Sequence, residues 1–469
     1  MMRQIKLSLG LMSLAGILIL AGCDKNDESP QTTQNIVQVA QAQPDLSSLV
    51  TALTKFPDLV ATLSGTGKYT VFAPNNDAFT ALLETIGQTS INDVPEPVLK
   101  SLLQYHVVKS DSLLSTQLTD GNVVSANTES ISVTTTGGIL LNGSAKVLMP
   151  DLKSSNGVVH VIDKVLVPAS ISRFVNTIVE PAYFNKNFTT LISAVTAASP
   201  SILDTLLSSS KKTLFAPTND AFTAAGITSL PSRSALDAVL AYHLIGSEVK
   251  AAQLPSNTSP ANSAITTLGG VFYLSNRGSN GVFINGNTRV VATDILADNG
   301  VVHVIDRTLL PPSETIARIA TALSTASSGA EFTQLVAALT RVPALLDAAS
   351  AASSSLTVFA PTDAAFRELY TALGVTGIND INLNTLTAVL KHHIVSSPTT
   401  ATGRIFSSDL ITGSVPALNG NISINATEGT VTSGNGTIAS ISSNAALVNV
   451  LGTNGVIHTI NKVLLPLGK

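Results

Sequence analysis

Apolar positions along this chain follow a helical period, then a strand period, and the cycle then starts again. In the first cycle Leu46, Leu49, Val50, Leu53 and Phe56 are spaced as one stripe of a helix. Pro57 opens a second short helix through Leu63, because proline is tolerated in a first turn, and Gly65 and Gly67 end it. Thr70, Val71, Phe72 and Ala73 read as a short strand stopped by Pro74. Asn75 and Asn76, or Thr218 and Thr362 in later cycles, stand where an N-cap belongs, so the helix they start buries Phe79, Phe222 or Phe366. The next helix carries Leu99, Leu102, Leu103 and His106 on one face. Beyond it, alternation around Ile131, Val133, Ile139 and Leu141 predicts strands and hairpins, with Asn142-Gly143 and Asn285-Gly286 as turn signals. A last strand over 158–166 ends before Pro168. Helices first and strands later argue for an α+β fold rather than a wound α/β sheet.

The cycle is written three times. Residues 70–79 read TVFAPNNDAF, 213–222 read TLFAPTNDAF and 357–366 read TVFAPTDAAF. Each is answered by a second block: NGVVHVIDKVLVP from Asn156, NGVVHVIDRTLLP from Asn299 and NGVIHTINKVLLP from Asn454. Phe72, Phe215 and Phe359 mark a repeat of about 140 residues, the size of a domain with its own core rather than of a solenoid unit. The expected division is a leader over 1–22, a polar tether over 23–36, and domains over 37–169, 170–312 and 313–469. The polar stretch DKNDESPQTTQNIVQVAQAQP, residues 24–44, reads as tether throughout. The third copy is longer between its histidines, and its excess is expected as loop, chiefly over 425–443. Short proline-bearing connections over 168–171 and 310–313 suggest a semi-rigid rod.

Arg3 and Lys6 precede a short apolar run over 7–20, closed by Leu20-Ala21-Gly22-Cys23. The run suits a secretory signal better than a membrane span. Its ending resembles the lipobox of bacterial lipoproteins, which implies cleavage before Cys23 and lipid attachment to its sulfur and amino group. Cys23 is the only cysteine, so the mature chain has no disulfide and no thiolate metal site. A formal net charge of −4 without a basic cluster argues against nucleic acid as a partner.

The two blocks and the Tyr-His pairs Tyr105-His106 and Tyr242-His243 between them resemble the fasciclin domain, a cell-adhesion and matrix module, over nearly the whole mature chain. The resemblance implies three tandem domains, each a small β-sandwich or wedge with helices packed at one end. It also implies adhesive roles for the Tyr-His pair and for an Asp-Ile pair before the second block. Tyr105-His106 and Tyr242-His243 match the first, whereas the third copy reads His392-His393; Asp294-Ile295 matches the second, Asp151-Leu152 weakly, and Asn449-Val450 lacks the acid.

All seven histidines lie in the repeated motifs. His106, His243 and His393 fall on the apolar stripe of a helix, and His160, His303 and His458 sit among strand aliphatics. These are expected to be neutral core residues rather than ligands, since no third ligand recurs for zinc. Asp163 and Asp306 become Asn461, and Asp77 and Asp220 become Ala364, so no carboxylate keeps a fixed place for acid catalysis. No hydrolase elbow, phosphate loop or dinucleotide fingerprint is present. The expectation is therefore no enzyme and no cofactor or metal. The chain reads as a lipid-anchored protein of the bacterial envelope, at the outer membrane or cell surface rather than the inner membrane. It would meet protein or polysaccharide of matrix or neighbouring cells. The alternatives are a glycan-binding lipoprotein using Phe272, Tyr273 and Phe283, and, behind it, a hydrolase.

Overall fold

A computed structural model describes residues 33–109, 111–256, 262–396, 403–444 and 446–468. Cys23 and the leader lie outside the described residues. In the first domain the order is α1 (Ile36–Gln41), α2 (Ser47–Thr54), α3 (Pro57–Ser64), β1 (Tyr69–Pro74), α4 (Asn76–Thr85) and α5 (Glu96–Tyr105). Six strands follow: β2 (Val107–Lys109), β3 (Gly121–Val124), β4 (Ser130–Thr134), β5 (Leu140–Leu141), β6 (Ala145–Ser154) and β7 (Gly157–Ile162). The fold is α+β. The helices gather over β1 and β7, while β3, β4 and β5 enclose a second apolar cluster around Phe72, Tyr105 and Ile131.

The stretch expected as tether ends sooner than its composition suggests. Ile36, Val37, Val39 and Ala40 are buried, and Asn35 caps their helix by accepting from the Gln38 amide. Periodicity also gave no hint that the first strand and the last are partners. β1 runs parallel to β7, with Phe72 opposite His160, and β2 lies antiparallel on the other edge of β1. The same pairing joins Lys212–Pro217 to Gly300–Ile305 and Leu356–Pro361 to Gly455–Ile460. The sheet order β2-β1-β7-β6-β5-β4-β3 recurs in the second domain, whereas the third has two four-stranded sheets.

The stretch 425–443, expected as swollen loop, is largely a hairpin. Thr430–Thr432 pairs with Ile438–Ser440, and Val431 and Ala439 are fully buried. The strand that β6 forms in one piece, though bulged, in the first domain is instead divided in the third into Ile438–Ser440 and Val450–Gly452. Gly, Asn, Thr and Ser dominate the sequence there, but the buried residues alternate, and alternation is what a strand needs.

The domains share buried seams, rather than meeting only through short connections. Ile171 and Phe184, beyond the second block of the first domain, belong to that domain's core. Lys186 Nζ lies 3.2 Å from Asp93 of the first domain. The second and third domains are joined more deeply. Asp409 of the third domain is fully buried and accepts from Arg277 Nη2 at 2.6 Å, Asn262 Nδ2 at 2.5 Å and the Ser275 hydroxyl, all three of the second domain. Tyr273 lies against Phe406 with ring centroids 5.7 Å apart, and the Arg404 guanidinium sits 4.6 Å from the Tyr273 ring centroid.

Candidate functional site

The repeated motifs converge on the parallel strand pair and the helix beside it. His106 follows α5. Its Nδ1 donates to Leu102 O at 2.7 Å and its Nε2 accepts from Leu166 N at 2.8 Å. His243 repeats this with Val239 O and Leu309 N, and His393 with Val389 O and Leu464 N. Each ring thus ties the end of the helix to the segment after the last strand. Burial pushes His106, His243 and His393 down to about 4.

The strand histidines make a second set. His160 Nε2 donates to Leu113 O at 2.9 Å, and its Nδ1 accepts from Asp151 N at 3.2 Å. His303 bridges Val249 O and Asp294 N, and His458 bridges Ile405 O and Asn449 N. Each ring packs beside the phenylalanine of the first block: Phe72, Phe215 or Phe359, at centroid distances of 5.7, 5.3 and 5.6 Å. Burial lowers the pKa of His160 and His303 and takes His458 to about 4. Both nitrogens of all six rings are engaged with backbone groups. Among the described residues no three His, Cys, Asp or Glu side chains form a cluster that could hold a metal ion.

Tyr105 and Tyr242 are equally committed. Their hydroxyls donate to Ser130 O at 2.7 Å and Val271 O at 2.9 Å, and accept from Asn142 and Asn285. In the third domain His392 replaces the tyrosine, with Nδ1 donating to Asn419 O and Nε2 accepting from Gly434 N. Asp294 occupies the left-handed region at φ 60°, as do Asp151 at 63° and Asn449 at 56°. Short polar side chains tolerate that backbone. The Asp294 carboxylate accepts from Ala251 N at 2.8 Å, and Ser115 N and Ser407 N make the corresponding bonds to Asp151 and Asn449. An acceptor oxygen is all this role needs, which explains the acid-to-amide exchange. Asp163, Asp306 and Asn461 likewise accept from a backbone amide of a neighbouring strand. Ile295 is half-buried against the core of its domain.

Sequence reasoning missed the asparagine that opens the second block. Asn156 accepts from Ile36 N at 2.9 Å and donates to Leu63 O at 2.8 Å and Gly65 O at 2.7 Å, fastening α1 and the end of α3 to β7. Asn299 and Asn454 repeat all three bonds. The Thr70 hydroxyl, also missed, donates to Asp111 O and accepts from Leu113 N, both at 2.8 Å. The signal available was the strict recurrence of Asn-Gly and of Thr at the head of each block. The expected glycan-stacking rings are not free platforms. Phe272 is fully buried edge-on against Phe215, Tyr273 is held in the interdomain seam, and Phe283 is half-buried.

This architecture of three copies, each with two backbone-bonded histidines around a parallel strand pair, defines the class. The chain belongs to the fasciclin domain family, whose model matches residues 44–168, 186–311 and 330–466. It is 28% identical over 439 residues to transforming growth factor-beta-induced protein ig-h3 of Sus scrofa, an alignment spanning 92% of this chain and 58% of that protein. The chain thus covers little more than half of that relative's length. It is also 37% identical over 137 residues to protein sll1483 of Synechocystis, covering 29% of this chain and 75% of that protein. A solved FAS1 domain pair from the insect cell adhesion molecule Fasciclin I aligns over 60% of this chain and 97% of that one, at 18% identity and a TM-score of 0.28.

Proposed function

We propose that the chain is a lipid-anchored protein of the bacterial cell envelope, held through Cys23 at the outer membrane or cell surface, that mediates adhesion or binds partners of the matrix. Its modules act as binding units rather than as enzyme active sites. The observation that supports this most strongly is the contrast between the motif residues and their surroundings. Tyr105, His106, Tyr242, His243 and His393 are buried and bonded within their own domains, so partner contact falls to the outer faces. Such faces exist on the bulged strands β6 and Thr288–Ala297, where Leu148, Met149, Val291 and Leu296 are 54, 47, 54 and 64% exposed. Asp294 and Ile295 lie at the bulge in the second half of the second of these strands. Modest contacts repeated along one chain gain from effective concentration without a strong single site.

The test is attachment of cells carrying the full chain to matrix-coated surfaces. The expected result is loss of attachment for Cys23→Ser, and a several-fold reduction for the Val291→Glu, Leu296→Glu pair at unchanged melting temperature. Attachment equal to that of the parent in both variants would contradict the reading.

A further inference from the structure

The locked seam between the second and third domains leaves an open cleft of about 320 Å3 beside the connection that carries Pro311 and Pro312. That volume falls at the lower end of the range for small-molecule sites, which favour domain junctions. Leu310 and Leu451 give it apolar surface, and Asn287, Arg307, Thr308 and Glu314 give it polar groups. The polar groups are under-used. Neither the Asn287 amide nor the Arg307 guanidinium bonds to any described residue, and the Thr308 hydroxyl is buried without a partner. Glu314 is held by Arg318 at 2.7 Å.

The repeats supply an internal control. Where the second domain has Arg307-Thr308, the first has Lys164-Val165 and the third Lys462-Val463. The fold therefore closes with valine at this position, and a buried unmet hydroxyl only costs stability. The second domain alone combines a hydroxyl and a guanidinium here, at the position that lines this cleft.

We propose that the cleft binds a carboxylate-bearing sugar, a uronate unit of an acidic polysaccharide. A guanidinium grips a carboxylate through two parallel hydrogen bonds, a geometry lysine does not reproduce. The Asn287 amide and the Glu314 carboxylate match ring hydroxyls, and the leucine side chains match the apolar C–H face of a pyranose. A neutral sugar would leave Arg307 without a counter-charge. An acidic peptide would supply that charge but not the hydroxyls. Because Asp409, Arg277 and Asn262 fix the two domains around the cleft, the site exists before the ligand arrives.

Binding to the purified full chain is measurable by calorimetry without cells, so failure here is distinguishable from failure of the adhesion reading. The probes are an oligogalacturonate, a neutral malto-oligosaccharide and an acidic oligopeptide. The expected result is saturable binding of the uronate alone. Arg307→Gln should weaken it at least tenfold at unchanged melting temperature, and Thr308→Val, the residue of the sister repeats, should weaken it a few-fold while raising the melting temperature. Absence of uronate binding, equal or tighter binding of either other probe, or affinity unmoved by both substitutions would overturn the proposal.

Discussion

At the scale of single residues, the six recurring rings act as hydrogen-bonded struts. Their aliphatic flanks made burial the expectation, and the rings lie buried with a donor on one nitrogen and an acceptor on the other. The partners themselves were not legible, because Leu166 and Leu113 lie far from His106 and His160 along the chain. The same holds for Asn156, whose three partners belong to α1 and to α3 and its end. His160→Ala should lower the stability of the first domain by roughly 1–3 kcal/mol, and Asn299→Ala that of the second by about 2–3 kcal/mol, as read by denaturant unfolding. The rings also set a pH dependence. His106, His243, His393 and His458 sit at about 4 when folded against 6.5 as the ordinary value, so the unfolded chain takes up protons first as the pH falls. Their contribution is complete above pH 6.5, is lost as the pH drops towards 4, and changes no further below. Melting temperature measured across that window should fall steadily; a flat profile would contradict the assignment.

At the scale of elements, the parallel pair decides where glycine must stand. A Cβ on Gly157, Gly300 or Gly455 would meet the backbone oxygen of Tyr69, Lys212 or Leu356 at 2.1, 2.0 and 2.5 Å. Gly300 also has φ +148°, which side chains rarely adopt. Gly300→Ala should therefore cost on the order of 3 kcal/mol in the second domain, whereas Gly226→Ala, with no atom within 4 Å of its added Cβ but φ +75°, should cost about 1 kcal/mol. Helices and N-caps were largely readable from the sequence. Asn75, Thr218 and Thr362 each accept from the backbone amide three residues on. Pairing of the first strand with the last was not readable, since periodicity reports which face of a strand is buried and not which strand lies beside it. The hairpin of the third domain was hidden by its loop-like composition, although Val431 and Ala439 carry the alternation.

At the scale of the whole molecule, the period read from the sequence gives three modules, and the seams between them come from residues outside the repeated blocks. Arg277 follows a strand of the second copy and Asp409 ends a short 3-10 helix of the third, so nothing in either neighbourhood announces the pair. Removing one partner of a buried ion pair leaves an uncompensated charge, which typically costs about 3–5 kcal/mol. Asp409→Ala should uncouple the second and third domains, splitting their joint calorimetric transition in two and widening the particle in solution scattering. A single unchanged transition would show that the seam contributes little.

If partners are met by the outer faces, the imidazoles must stay neutral and occupied within their domains. Nitrogen-15 NMR of histidine-labelled full chain reads this directly. The prediction is hydrogen on Nδ1 for His106, His243 and His393 and on Nε2 for His160, His303 and His458, with no titration near pH 6.5 and no change on adding zinc. Rings that titrate at their ordinary value, or whose signals move when zinc is added, would contradict it.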